Sequence, residues 1–229
     1  ILGGVALLKS LRESAAPDSP EAQTLAGRVT GAVAQLVSSQ RDDGTWSWSG
    51  AATADKPDRY LTSRALWALA EARRAGFAVP QATYDKAIQA LNSAFAKSAQ
   101  SDREGQAILL HGLAEAGAGD FAHANRLYRE RNALSASGLL HVALTLVRLD
   151  RKEMAAELLK LVALSSDPKN VARAHAVDAR LIPWMQSPVE LRSLYLSALQ
   201  EIDPASAKAG DVADWLVAAR VDSRWTPEK

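Results

Sequence analysis

Gln40-Arg41-Asp42-Asp43-Gly44-Thr45-Trp46 is the stretch on which the reading of this chain turns. It follows an apolar stripe at helical spacing, Leu25, Val29, Ala32, Val33 and Leu36, so it stands at the end of a helix. Gln or Arg at such an end can bond the last carbonyls. Gly44 suits a left-handed turn, and Trp46 has the bulk to pack over a corner. Spaced Q-x-x-x-G-x-W, the segment reads as a structural corner made of Gln40, Asp43, Gly44 and Trp46.

Helical periodicity recurs on both sides of this corner. Leu61, Ala65, Ala68, Leu69 and Ala72 form a second stripe, stopped by Gly76. Pro80 opens a helix in which Tyr84, Ile88, Leu91 and Phe95 align. Further helices are expected over 102–117, 121–130, 135–149, around Met154 to Val162, and over 209–220, together with the first segment over 1–14 and a weaker one over 171–184. In 135–149, Leu140 and Leu144 add a second apolar side to Leu139, Ala143, Leu146 and Val147, so this helix should be buried on more than one face. Ser187-Pro188-Val189-Glu190 is a capping box ahead of Leu191, Leu194, Tyr195 and Ala198. About eleven helices result, joined by short connections. The only long irregular stretch is 41–56.

Composition agrees with an all-α chain. Of 229 residues 45 are Ala and 30 are Leu, whereas Val and Ile together number 19. Helix formers dominate, which excludes a β-sandwich or barrel. The formal net charge is +1, from 27 basic and 26 acidic residues, so no domain-wide basic field would gather nucleic acid. The chain has no Cys, which removes disulfides, thiolate metal sites and a Cys nucleophile within it. No apolar run reaches the roughly 18 residues of a membrane helix. Ile1 to Lys9 has neither Met nor a basic leader, and reads as the interior of a longer polypeptide.

Few other side chains point to chemistry. His111, His123, His141 and His175 contain no i, i+4 pair and no H-E-x-x-H, so each reads as a packing or helix-face residue, and no metal or cofactor is expected. Asp42 and Asp43 are adjacent in a turn and point apart, as turn formers rather than paired catalytic carboxylates. Of the six Trp, Trp48 is the exception to corner packing. It lies in a Ser/Gly-rich loop, and it is the candidate for a partner contact. Arg28, Arg41, Arg59, Arg64, Arg73 and Arg74 read as solvated helix-face charges. Leu216 to Trp225 echoes Leu36 to Trp46 as a helix end, an Asp-containing turn and a Trp, which makes Trp225 the second corner residue.

The Q-x-x-x-G-x-W turn resembles that of the α/α-toroid superfamily. The Trp46-Ser47-Trp48 loop, Tyr60 to Leu69, Gly76-Phe77-Ala78-Val79-Pro80, Asn125 to Arg131, Leu134 to Leu139, Ser187 to Asp203 and Asp214-Trp215-Leu216 resemble, in order, the thioester-domain region of bacterial alpha-2-macroglobulin-like proteins. The resemblance covers about residues 25–229. It implies one toroid domain over 1–229, of about eleven to twelve antiparallel helices and part of a longer chain. It further implies a periplasmic or cell-envelope location, and partnership with other domains of the same polypeptide and, through them, with proteases. It does not bring the thioester, because the chain has neither Cys nor a Cys-Gly-Glu-Gln motif. The implied role is therefore structural and recognitive, not enzymatic.

Two rival readings stand beside this one. Residues 121–128 and 154–160 lie near the period of a TPR-like interaction scaffold. A terpenoid-cyclase-like enzyme shares the ring but would need an Asp-rich acid motif, which is lacking. If a helix is missing before Ile1, the stripe of Leu2, Val5, Leu8 and Leu11, with Leu25 and Val29, should be exposed.

Overall fold

The computed structural model describes residues 1–13, 19–48, 57–162, 164 and 187–219. Among them the regular structure is helical throughout. The α-helices are α1 (Leu2–Glu13), α2 (Pro20–Ser38), α3 (Arg59–Arg74), α4 (Gln81–Lys97), α5 (Arg103–Glu115), α6 (Phe121–Arg129), α7 (Ala136–Arg148), α8 (Lys152–Leu161), α9 (Pro188–Ile202) and α10 (Ala207–Ala218), with a 3-10 turn at Arg131–Ala133. The expected helix over 171–184 and the second corner at Trp225 lie outside the described residues. The chain groups into two compact units: residues 1–97 with 115–118, and residues 98–114 with 119–229.

Local chemistry explains most helix boundaries. Side-chain oxygens of Ser19, Asp58, Asp120, Ser135 and Ser187 accept from amides in the first turns of α2, α3, α6, α7 and α9. Each bond satisfies a donor that has no partner within its helix. At the end of α3 Gly76 takes φ +90°, while the amides of Gly76 and Phe77 return to the carbonyls of Arg73 and Ala72. This paired closure is the Schellman arrangement. Asp150 closes α7 in the same way. It holds φ +58°, and its own amide and that of Arg151 reach Val147 and Leu146.

In the first unit, α1 packs on α2 and α3, and α3 pairs with α4. Every residue from Ala68 to Ala70, with Leu66 and Ala72, is buried, so α3 is enclosed more widely than its stripe required. The expected exposed patch at the amino end is absent. Val5, Leu8 and Val29 are buried, and Leu2, Leu11 and Leu25 are half-buried, because α1 folds its apolar face onto α2 and α3.

Arg74 departs from the expectation of a solvated charge. It pairs with Glu71 and with Glu115, whose carboxylate is only 1% exposed, and it donates to the Glu115 carbonyl at 2.7 Å. Burial lowers the Arg74 pKa, but the two carboxylates outweigh it and the net shift is upward.

In the second unit α7 is central and packs against α6, α8 and α9, while α10 lies on α9. Ser137 through Val147 are all buried, which realises the two-sided burial expected from Leu140 and Leu144. Leu161, at the end of α8, is 50% exposed. Glu104 of α5 accepts from the Ser135 hydroxyl at 2.8 Å, tying α5 to the start of α7.

Candidate functional site: the Gln40–Trp46 turn

The turn is built from the carboxyl end of α2. The Gly44 amide donates to the Arg41 carbonyl, and the Arg41 amide to the Thr45 carbonyl, each at 2.9 Å. Gly44 has φ +83°, and a β-carbon there would overlap the Lys86 carbonyl of α4. The position therefore excludes side chains both by backbone conformation and by space. Asp43 accepts from the Thr45 amide at 3.1 Å and the Thr45 hydroxyl at 2.5 Å, an Asx-type closure. Slight burial pushes the Asp43 carboxyl up. The Thr45 bonds, with Arg41 at 3.9 Å, outweigh this and hold it below its ordinary value.

The side chain of Gln40 does not bond the last carbonyls of its own helix, contrary to the expectation from its position. Its amide nitrogen donates to the Gly44 carbonyl at 3.1 Å and to the Thr83 carbonyl at 2.9 Å, stapling the turn to the first turn of α4. The helix-end role falls to other groups, among them the Ser38 hydroxyl, which donates to the Gln35 carbonyl at 2.9 Å. The Trp46 indole nitrogen and the Ser39 hydroxyl both donate to the Leu36 carbonyl, at 2.8 and 3.0 Å. Trp46 is 2% exposed, its amide donates to Thr62 Oγ1, and its carbonyl accepts from the Asp58 amide. One short loop thus joins the ends of α2, α3 and α4.

Trp48 is 60% exposed, with its indole nitrogen donating to Asp58 Oδ2 at 2.9 Å. The ring is held by a residue that also caps α3 through its other oxygen.

The histidines divide by environment. His123 is exposed on α6, and His175 lies outside the described residues. His111 of α5 and His141 of α7 are buried with their Nδ1 atoms 3.0 Å apart, so one must donate and the other accept. A spacing of 30 residues carried no signal for this pair. Among the described residues no group of three or more His, Cys, Asp or Glu is placed to hold a metal ion. No described helix is long and apolar enough to cross a membrane.

A corner of this kind ties the end of α2 to the starts of α3 and α4 in an all-α chain. The matching solved structures are bacterial alpha-2-macroglobulins. The chain resembles native Escherichia coli alpha-2-macroglobulin spanning domain MG7 to the C-terminus, with TM-score 0.65 and 17% identity over 86% of this chain and 31% of that one. It resembles the native conformation of the E. coli protein seen by cryo-electron microscopy at TM-score 0.64 and 19% identity, over 86% of this chain and 12% of that one. A Salmonella alpha-2-macroglobulin reacted with methylamine matches at TM-score 0.61 and 19% identity, over 78% and 12% respectively. The chain thus spans less than a third of each of these structures, and at such identities the likeness is one of fold. No family model matches the chain, and no curated protein matches it.

Proposed function

We propose that this chain is the thioester-type domain of a bacterial alpha-2-macroglobulin-like protease-trapping protein, with a structural and recognitive role and no thioester of its own. The observation that carries the reading is the shared fold over 86% of the chain at TM-score 0.65. Absence of Cys means that no thiol ester can form within these residues. The relatives are described as reacted with methylamine and as activated by trypsin or porcine elastase. On this reading, proteases reach the present chain through the polypeptide that carries it. That polypeptide resides in the periplasm or envelope, and its other domains are this chain's immediate partners. The reading also takes residues 1–229 as one α/α-toroid, for which small-angle scattering should give a compact particle rather than an elongated solenoid.

The decisive experiment treats the native polypeptide carrying this chain with trypsin or elastase. Native-gel mobility and hydrogen exchange within residues 57–162 are then followed. Cleavage elsewhere in the polypeptide should alter both, with no covalent protease adduct on this chain and no mass change with methylamine. Unaltered mobility and exchange after cleavage would overturn the reading, as would a methylamine adduct on this chain.

A further inference from the structure

The contact between α5 and α7 is buried and polar. His111 is 2% exposed and His141 4%, and their Nδ1 atoms lie 3.0 Å apart with the rings tilted at 54°. Glu104 precedes His111 on the same face of α5. It accepts from the amide and the hydroxyl of Ser135, the cap of α7, and a β-carbon on Gly138 would overlap its carboxylate. That charge therefore sits at the positive end of the α7 dipole. Among the described residues, the other charged groups of α5 to α9 are engaged elsewhere or exposed. Glu115 of α5 pairs with Arg74 of α3, Arg103 of α5 with Glu130, and Arg148 of α7 with Glu201 of α9. Arg126 of α6 donates to Gln106 of α5 at 2.7 Å. Glu157 of α8 takes the Tyr128 hydroxyl, Lys152 donates to the Glu201 carbonyl at 2.8 Å, and Arg192 of α9 lies over the Trp215 ring at 3.8 Å. His123, Arg129, Glu153 and Lys160 are exposed.

We infer that the α5–α7 contact is an acid-responsive latch, closed at neutral pH and opened locally when both imidazoles become charged. A protonated imidazole is a donor at both nitrogens. The Nδ1–Nδ1 bond therefore exists only while at least one of the pair is neutral. With both charged, the bond is lost and two cations face each other in a buried site. This direction holds whichever imidazole donates. Glu104 acts in the same sense, because a neutral carboxyl loses its attraction to the start of α7. Histidine is the side chain whose ordinary charge change falls between pH 5 and 8, whereas carboxylates and guanidinium groups ordinarily keep their charges over that range. Acidification to pH 5 thus acts on this contact before it acts on the Arg–Glu pairs. The latch goes beyond the family reading and does not depend on it.

The test is hydrogen exchange of the protein at pH 7 and pH 5, read peptide by peptide and corrected for intrinsic rates. Protection of α5 should fall by about tenfold relative to that of α3. His111→Asn and His141→Asn each place a side-chain amide where Nδ1 stood. The amide can accept from the remaining imidazole when that ring is charged, so either variant should hold the α5-to-α3 ratio constant between the two pH values. Nitrogen-15 spectra of the histidine-labelled parent at pH 7 should show one imidazole carrying its proton on Nδ1, hydrogen-bonded to the other. Melting curves at pH 8 report whether the Asn variants fold, and the exchange ratio and nitrogen spectrum of the parent decide the matter without them. An unchanged α5-to-α3 ratio in the parent would overturn the inference. So would folded Asn variants that lose protection as the parent does, or a spectrum with no Nδ1-bound proton at pH 7.

Discussion

The indole nitrogen of Trp46 donates to the carbonyl of Leu36 at 2.8 Å, so the residue that fills the corner also closes the helix before it. Burial and hydrogen bond can be separated by substitution. Trp46→Phe, which keeps a ring and leaves the carbonyl with the Ser39 hydroxyl alone, should cost about 0.5–1.5 kcal/mol. Trp46→Ala should cost about 3–5 kcal/mol. Trp48→Ala, at an exposed ring, should cost about 0.5 kcal/mol or less. Urea unfolding of the three variants checks the order.

Gly44 and Gly76 both hold positive φ, but their surroundings differ. A β-carbon at Gly76 would meet nothing within 4 Å, whereas one at Gly44 would overlap the Lys86 carbonyl. Gly76→Ala should therefore cost only the backbone strain, about 1 kcal/mol. Gly44→Ala should cost more, about 2–4 kcal/mol, because the turn must lift from α4. Equal losses in thermal unfolding would show that the turn is not seated on that helix.

The Arg74–Glu115 pair is asymmetric, with an arginine 40% exposed and a glutamate side chain 1% exposed. Arg74→Met strands a buried carboxylate and should destabilise by about 3 kcal/mol. Glu115→Gln leaves an arginine that water can still reach, and should cost less. In the double-mutant cycle the combined loss should fall short of the sum of the two.

Asp150 is a non-glycine residue at φ +58° in the position that closes α7. Asp150→Gly should stabilise the chain by about 0.5–1 kcal/mol by relieving that conformation. A rise in melting temperature reports it.

Asp43 gives the turn a modest dependence on pH. Its folded pKa lies below the ordinary value, so its contribution is present at neutral pH and lost as pH falls below about 4 through the folded pKa. The group is largely exposed, and screening limits the effect to about 0.5 kcal/mol. Asp43→Asn should lower stability at pH 7 and lower it progressively less as pH falls below about 4, as followed by urea midpoints.

Much of this architecture was legible in the sequence because its causes are local. Apolar residues at helical spacing located α2, α3, α4, α7 and α9, and capping residues such as Ser187 marked where helices begin. The double apolar side of α7 announced its burial, since no single face could hold both Leu139 and Leu140. Gly44 and Trp46 were recognisable as a corner because a left-handed residue next to a large ring has few other uses.

The partners of those residues were decided only in three dimensions. Gln40 reaches Thr83, Trp46 meets Thr62, Arg74 finds Glu115 and His111 finds His141 across separations of 16 to 43 residues. Spacing within a helix carries no record of which helix will lie opposite, so no periodicity encodes such pairs. The amino-terminal stripe makes the same point. Val5 and Leu8 declare an apolar face in the sequence, but only the packing of α1 on α2 and α3 determines that this chain covers it itself. Helix formation is set by bonds and side chains within a few residues, whereas burial is set by which surfaces meet.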